Sequence, residues 1–183
     1  MNNLQAAENF AKERHAGMMR KDGVTSFYDH LAGVVARLKN LGITDEGVLA
    51  AAWLHDTLED TKTSFVELDS RFGSKVAVLV LSLSKDKSLP KARQEKQYVK
   101  QLKESSLEAK IIKLCDISAN LKDIKNAPLS KTKKVKTIRK ILYYLNAIKP
   151  DLVKNKASVP GIQSLVDGIN DLVVSFGQKP TIF

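Results

Sequence analysis

The sequence predicts an all-α protein, folded as a single helical bundle with a metal site between its helices. Apolar residues recur every three or four positions along most of the chain, and no segment alternates apolar and polar residues convincingly with a period of two. Ser-led capping patterns and single glycines fall where helices would begin and end. There is no internal repeat and no linker, so the 183 residues are expected to form one domain with a sizeable core.

Nine helices are expected, over residues 3–16, 29–41, 45–59, 64–72, 74–84, 90–104, 105–124, 130–148 and 159–176. The first carries Leu4 and Phe10 on one face, and the second ends at Gly42. The third is apolar on nearly all sides from Val48 to Leu54, which predicts a place at the centre of the core.

Start signals mark the later helices. The stretches "SFVE" and "SSLE", at residues 64–67 and 105–108, match the capping box, and Pro90 suits the first turn of the sixth helix. The fifth, "VAVLVLSLS", has the composition of a strand, but its length and its capped start favour a buried helix. The last two helices carry apolar side chains at helical spacing, at positions 135, 138, 142 and 145 and at positions 162, 165, 166, 169, 172 and 173.

The chain is strongly basic, with a net charge of +10 and an isoelectric point of about 9.6. This balance suggests a polyanionic partner: nucleic acid, an acidic membrane or a heavily phosphorylated small molecule. Cys115 is the only cysteine, so no intramolecular disulfide can form, which fits a reducing cytoplasm. The N-terminus lacks the apolar core of a signal peptide, and no run approaches the roughly 18 apolar residues of a membrane span. We therefore expect a soluble, cytoplasmic protein that does not enter the membrane.

Ionisable residues crowd one end of the third helix, in the stretch "AAWLHDTLEDT" at residues 51–61. Adjacent side chains point about 100° apart on a helix, so His55 and Asp56 can meet at one ion only on a helix edge that faces a cavity. Imidazole with carboxylate suits a divalent transition metal better than calcium or magnesium.

A second group of polar residues lies in "KLCDISANL". Asp116 is surrounded by apolar neighbours, where a carboxylate is costly unless it is paired or bound to a metal. Asn120 lies one turn along the same face. With His30 on the second helix, the order His…His-Asp…Asp offers two imidazoles and two carboxylates to one site.

This order and spacing resemble the HD superfamily of metal-dependent phosphohydrolases. The stretches "RKDG", "HDTLEDT", "FGSKVAVLVLSLSKDKSLPK" and "KLCDISANLKDI" resemble the hydrolase domain of the RelA/SpoT family. With no room for a synthetase domain, the chain is most similar to the small alarmone hydrolases. The resemblance covers about residues 3–148 and does not extend to the sequence beyond them.

The resemblance implies an all-α HD fold that binds one Mn²⁺ and removes pyrophosphate from the 3′ position of (p)ppGpp, leaving GDP or GTP. Residues 1–150 would form the hydrolase domain, and residues 151–183 a C-terminal helical extension packed on the same domain. The implied metal ligands are His30, His55, Asp56 and Asp116.

The family's acidic pair falls on Glu59 and Asp60. Glu59, one turn after His55, would orient or deprotonate the attacking water. Asp60, one turn after Asp56, would assist this network or proton transfer to the ribose 3′-oxygen; the sequence does not separate the two roles. A solvated helix end is the alternative, but acids are unfavourable near a helix C-terminus, which favours a function here.

The resemblance also implies contacts to the substrate. Its basic pair falls on Arg20 and Lys21, and its asparagine on Asn120. Lys91 and Lys134 lie where basic residues would approach the phosphates. For each of these residues a solvated surface position is the alternative. Nucleic acid is not an expected partner, because aromatic residues are few and no groove-binding motif is present.

Two rival functions stay open. Ser26 and Phe27 stand where the family has Pro-Tyr, and Met18 stands where it has glutamine, so the pocket wall differs. An HD phosphohydrolase acting on another nucleotide, such as the 2′-phosphate of NADPH, is one rival. A non-catalytic binder of alarmone or nucleic acid is the other, and the complete ligand set disfavours it. The last helix is expected to cover the core or to form a contact in a homo-oligomer.

Overall fold

A computed structural model describes residues 3–183, and within this range the chain forms α-helices and one short 3₁₀ helix, with no strand. The helices are α1 (Asn3–Arg14), α2 (Phe27–Asn40), α3 (Glu46–Leu54), α4 (Thr57–Asp60), α5 (Phe65–Phe72), α6 (Ser74–Leu83), α7 (Lys91–Glu104), α8 (Leu107–Asn126), α9 (Lys131–Lys154) and α10 (Ile162–Ser175), with the 3₁₀ helix at Lys156–Ser158. The all-α prediction is confirmed. Across residues 3–183, no helix is both long and apolar enough to span a bilayer.

The centre of the bundle is α3, as its apolar sequence predicts. Its residues from Val48 to Leu54 are all buried, and the helix packs against α1, α2, α6 and α8. The long helix α8 lies beside it and also contacts α9 and α10. Two central helices that are buried on most sides hold any polar side chain they carry in a fixed position.

Side-chain caps fix where several helices begin. Ser64 accepts a hydrogen bond from the Glu67 amide at 3.1 Å, and Ser106 accepts one from the Ala109 amide at 3.3 Å. The segment "VAVLVLSLS" is helical, as expected, and lies in α6. No side chain caps its start; the preceding Gly73 has a φ of 86°, a conformation that favours glycine.

The expected helix over residues 45–59 is wrong, because it is two helices. Helix α3 ends at Leu54, a turn contains His55 and Asp56, and the four-residue α4 follows. Side chains satisfy the last carbonyls of α3: the Thr57 hydroxyl donates to the Leu54 oxygen at 2.6 Å, and His55 Nδ1 lies 2.8 Å from the Ala52 oxygen. The acidic pair lies in the short α4 and not at the C-terminal end of a long helix, so a helix dipole does not disfavour it in the expected way.

The C-terminal part differs at one boundary. Helix α9 continues through Pro150 to Lys154, beyond the expected end at residue 148. Pro150 has no N–H and cannot donate a hydrogen bond to the carbonyl of Asn146. Because Asn146 is exposed to water, the free-energy cost of the lost helical hydrogen bond is limited. The last helix, α10, packs against α8 through four buried side chains, Ile162, Val166, Ile169 and Val173. The division of the chain at residue 150 stays a proposal.

Candidate active site

Four side chains from three elements meet at the C-terminal end of α3. Helix α2 supplies His30, the α3–α4 turn supplies His55 and Asp56, and α8 supplies Asp116. His55 Nε2 lies 3.3 Å from Asp56 Oδ2 and 3.5 Å from Asp116 Oδ1, and His30 Nε2 lies 3.3 Å from Asp116 Oδ1. The turn after α3 brings the adjacent His55 and Asp56 side chains together, which a regular helix would not do.

These four residues, which we call the His-Asp cluster, suit a divalent metal. The Nε2 atoms of His30 and His55 are buried and have no hydrogen-bond partner. One ligand atom from each of His30, His55 and Asp56 lies within 4.8 Å of the others. Buried polar nitrogens are rarely left unsatisfied, so two such atoms facing carboxylates indicate a place for a cation.

An oxygen lies behind each imidazole. His55 Nδ1 lies 2.8 Å from the Ala52 oxygen, which fixes a proton on Nδ1, so that the neutral ring would offer its Nε2 lone pair to a metal. His30 Nδ1 lies 3.3 Å from Asp123 Oδ2, an ion-pair distance without hydrogen-bond geometry. Asp123 is not among the residues predicted for the site, although its spacing of seven from Asp116 places both on one face of α8.

Opposite charges within and beside the cluster offset the cost of its burial. Burial lowers the pKa of His55, but the carboxylates of Asp56 and Asp116 outweigh this and raise that pKa to about 10. Burial raises the pKa of Asp56, yet His55 holds it below its usual value. Burial also opposes the charge of Asp116, but Lys113, which donates to its Oδ2 at 2.8 Å, holds the pKa of Asp116 well below its usual value.

A cavity of about 460 Å³ opens over the His-Asp cluster and contains the acidic pair in its wall. Glu59 Oε2 accepts a hydrogen bond from the Lys85 amide at 3.0 Å, while its Oε1 lies 3.8 Å from Lys85 Nζ. Asp60 Oδ1 lies 3.2 Å from Lys87 Nζ. The two carboxylates thus have separate anchors at the edge of the cavity.

Arg20 and Asn120 form one side of this cavity and touch each other. The Arg20 guanidinium donates to Asp123 Oδ2 at 3.0 Å and to the Asn120 side-chain oxygen, and it lies 4.9 Å above the Phe27 ring. The Asn120 amide nitrogen in turn donates to Asp116 Oδ1 at 2.6 Å. One continuous network therefore joins a predicted substrate contact to a predicted metal ligand.

The match to a known family covers most of the chain: the family described as "HD domain" matches residues 7–147. The chain belongs to the HD-domain family.

Individual relatives agree with this membership. A guanosine-3′,5′-bis(diphosphate) 3′-pyrophosphohydrolase from Danio rerio is 47% identical over 118 residues, which are 63% of this chain and 66% of that protein. An enzyme with the same description from Aquifex aeolicus is 36% identical over 75% of this chain but only 19% of its own length. The solved structure of a metazoan orthologue of SpoT, described as hydrolysing ppGpp, superposes with a TM-score of 0.82 at 27% identity and covers 97% of both chains.

The HD fold brings some predicted substrate contacts together and leaves others apart. Lys21 is exposed at the mouth of the cavity and lines it with Arg20 and Asn120. Lys91 and Lys134 do not line the cavity; Lys91 is exposed, and Lys134 Nζ donates to the Lys125 oxygen at 2.9 Å. Their roles toward a substrate stay predictions.

Proposed function

We propose that this HD-domain protein hydrolyses (p)ppGpp at its 3′ position and releases pyrophosphate with GDP or GTP. The observation that carries the proposal is the pair of buried, unpartnered Nε2 atoms of His30 and His55, which face Asp56 and Asp116. These two carboxylates line a cavity that also carries an arginine and four lysines. The family membership, the relatives' described activity and the structural neighbour's hydrolysis of ppGpp support it.

The proposed cofactor is one Mn²⁺. It would be held by His30, His55, Asp56 and Asp116, whose nitrogen and carboxylate donors suit a divalent transition metal. When bound, such an ion supplies a water of lowered pKa and polarises a phosphoryl oxygen.

The protein's own residues then have distinct tasks. Glu59 lines the cavity, with Oε2 held by the Lys85 amide and Oε1 3.8 Å from Lys85 Nζ, and would accept the proton of the attacking water. The water oxygen forms a bond to the inner phosphorus of the 3′ group, and the bond from that phosphorus to the ribose 3′-oxygen breaks. The ribose oxygen takes up a proton, which Asp60 would relay, and pyrophosphate leaves.

The substrate's nucleoside part would lie toward Arg20. This guanidinium is held in one plane by Asp123, Asn120 and the Phe27 ring, so it can stack on a base or donate to a phosphate without losing further freedom. Lys21 would add a point charge at the cavity mouth. Lys91 and Lys134 would contribute only through phosphates that extend beyond the cavity.

We also propose that the protein acts in the cytoplasm, in keeping with its single cysteine, Cys115, which is buried. The buried face of α10 supports a role in covering α8, so a homo-oligomer would have to use another surface.

The test is to identify products from purified protein with Mn²⁺. Pyrophosphate should appear from ppGpp, and Glu59→Gln should lose more than about 100-fold in kcat, within the range for removing a positioned general base. Glu104→Gln, a matched change at an exposed site, should retain parent activity. Phosphate released from NADPH alone would instead establish the nucleotide 2′-phosphatase, and binding of ppGpp without turnover would establish a non-catalytic binder.

A further inference from the structure

Three lysines converge on two tyrosine rings in the cavity wall beside Glu59. We call Lys85, Lys113 and Lys140 the lysine wall. Lys85 Nζ lies 4.7 Å from the centre of the Tyr98 ring and 5.2 Å from that of Tyr144. Lys113 Nζ lies 5.4 and 5.5 Å from the same two centres, and Lys140 Nζ lies 5.9 Å from Tyr144. All five side chains line the cavity over the His-Asp cluster.

Such crowding of like charges is unfavourable unless an anion offsets it. The side chains of Lys85 and Lys113 are only 19% and 12% exposed, so water screens them poorly. Burial lowers the pKa of Lys85 and Glu59 opposes this shift, while the charges of Lys113 and Lys140 lower that pKa further. Burial also opposes the charge of Lys113, but Asp116 raises the pKa of Lys113 well above its usual value. Clusters of one sign within a cleft concentrate ions of the opposite sign.

Each lysine of the wall has one carboxylate partner, and two of these partners have proposed tasks of their own. Lys113 pairs with Asp116, which belongs to the His-Asp cluster, and Lys85 pairs with Glu59, the proposed acceptor of the water proton. Lys140 pairs with Glu95, which also accepts a hydrogen bond from the Tyr144 hydroxyl. Two of the three partners are thus engaged in the chemistry, and the wall borders the reaction centre.

We propose that the lysine wall binds the outer phosphoryl group of a 3′-diphosphate while the inner phosphoryl group lies at the His-Asp cluster. This inference rests on the proposed function and adds a statement about substrate specificity. The cavity distinguishes substrates with a diphosphate at the scissile position from substrates with a monophosphate there. An ammonium group is a compact point charge that suits a freely oriented terminal phosphoryl group. The tyrosine rings hold the three ammonium groups near the reaction centre through cation–π contacts.

The lysine to replace first is Lys140, because its ammonium pairs with neither Asp116 nor Glu59. Lys140→Gln should raise the KM for ppGpp by about tenfold, the loss expected for one charge-assisted hydrogen bond. The KM for guanosine 5′-diphosphate 3′-monophosphate, which lacks the outer phosphoryl group, should change less than about twofold. Lys136→Gln is the matched control, since Lys136 lies one turn away on α9, is exposed and does not line the cavity.

An equal rise in KM for both substrates, or a rise no larger than in the Lys136 control, would overturn the proposal. A second readout separates it from the proposed function: calorimetric binding of inorganic pyrophosphate and of orthophosphate to Mn²⁺-loaded protein, at one metal concentration for all variants. If the parent hydrolyses neither substrate, the proposed function fails. The proposal for the lysine wall is then supported if the parent binds pyrophosphate more tightly than orthophosphate and Lys140→Gln removes that preference. It is refuted if the Lys140→Gln variant keeps the preference.

Discussion

Asp123 Oδ2 lies 3.3 Å from His30 Nδ1 and accepts a hydrogen bond from Arg20 Nε at 3.0 Å. One carboxylate therefore lies beside both a proposed metal ligand and a proposed substrate contact. Asp123 thus links the His-Asp cluster to the predicted substrate contacts, although it belongs to neither set.

Replacing Asp123 should weaken metal binding and substrate binding at once. Asp123→Asn is expected to reduce affinity for Mn²⁺ by about tenfold or more, because carboxylates behind metal-binding histidines contribute that much. The KM should rise as well, since Arg20 loses an anchor. Metal titration and steady-state kinetics would measure the two effects, with Asp171→Asn on the exposed face of α10 as the control. Unchanged metal affinity would show that His30 is oriented by other contacts.

Metal binding should release a proton from His55. In the metal-free protein Asp56 and Asp116 raise the pKa of His55 to about 10, so the ring is charged at neutral pH, whereas a metal needs it neutral. Affinity for Mn²⁺ should therefore rise with pH, by up to about tenfold per unit below pH 10. Calorimetry in buffers of different ionisation enthalpy should count about one proton released at pH 7. Mn²⁺ binding without proton release would show that the His55 ring is not charged in the metal-free protein.

The same shift sets the pH dependence of stability without metal. Because the pKa of His55 is raised above its unfolded value of 6.5, its contribution is fully present below pH 6.5 and is lost as the pH rises towards 10.

The turn between α3 and α4 should depend on the Thr57 hydroxyl. Thr57 is fully buried and donates to the Leu54 oxygen at 2.6 Å. Thr57→Val keeps the shape but leaves that carbonyl unsatisfied, so the free energy of unfolding should fall by about 1–3 kcal/mol. Denaturant unfolding would measure it, with the exposed Thr132→Val as the control. The affinity for Mn²⁺ should fall too. If Thr57→Val retained both the parent free energy of unfolding and the parent metal affinity, the hydroxyl would not hold the turn.

Arg20 should not be replaceable by lysine. Its guanidinium donates to Asp123 and Asn120 and lies 4.9 Å above Phe27, which an ammonium group cannot reproduce. Arg20→Lys keeps the charge, yet the KM for ppGpp should rise by about tenfold with a smaller change in kcat. Arg93→Lys on the exposed face of α7 is the matched control. If Arg20→Lys had the same kinetic parameters as the parent, Arg20 would contribute only its positive charge.

The sequence predicted the parts of this protein that depend on local patterns. The apolar run from Val48 to Leu54 predicted a buried central helix, and the four residues of the His-Asp cluster were named before the structure brought them together. The break after Leu54 was missed, since no glycine or proline marks it; a threonine hydroxyl and a histidine ring end the helix instead.

The lysine wall was beyond local patterns. Lys85, Lys113 and Lys140 come from a loop and two helices, and in a chain with 30 basic residues nothing local distinguishes them from solvated ones. Only tertiary packing around Tyr98 and Tyr144 sets them apart. Asp123, by contrast, could have been found from its position two turns after Asp116 on a helix already known to carry a ligand.

The most direct test of the central claim is pyrophosphate release from ppGpp by protein first stripped of metal and then supplied with Mn²⁺. We expect no turnover by the stripped chain, recovery with the metal, and a loss of more than about 100-fold in Asp116→Asn, which keeps the size of the side chain but lacks one ligand charge. Asp171→Asn should behave as the parent. Turnover that persists in the presence of a chelator, or parent activity in Asp116→Asn, would contradict the assignment of the His-Asp cluster as the reaction centre.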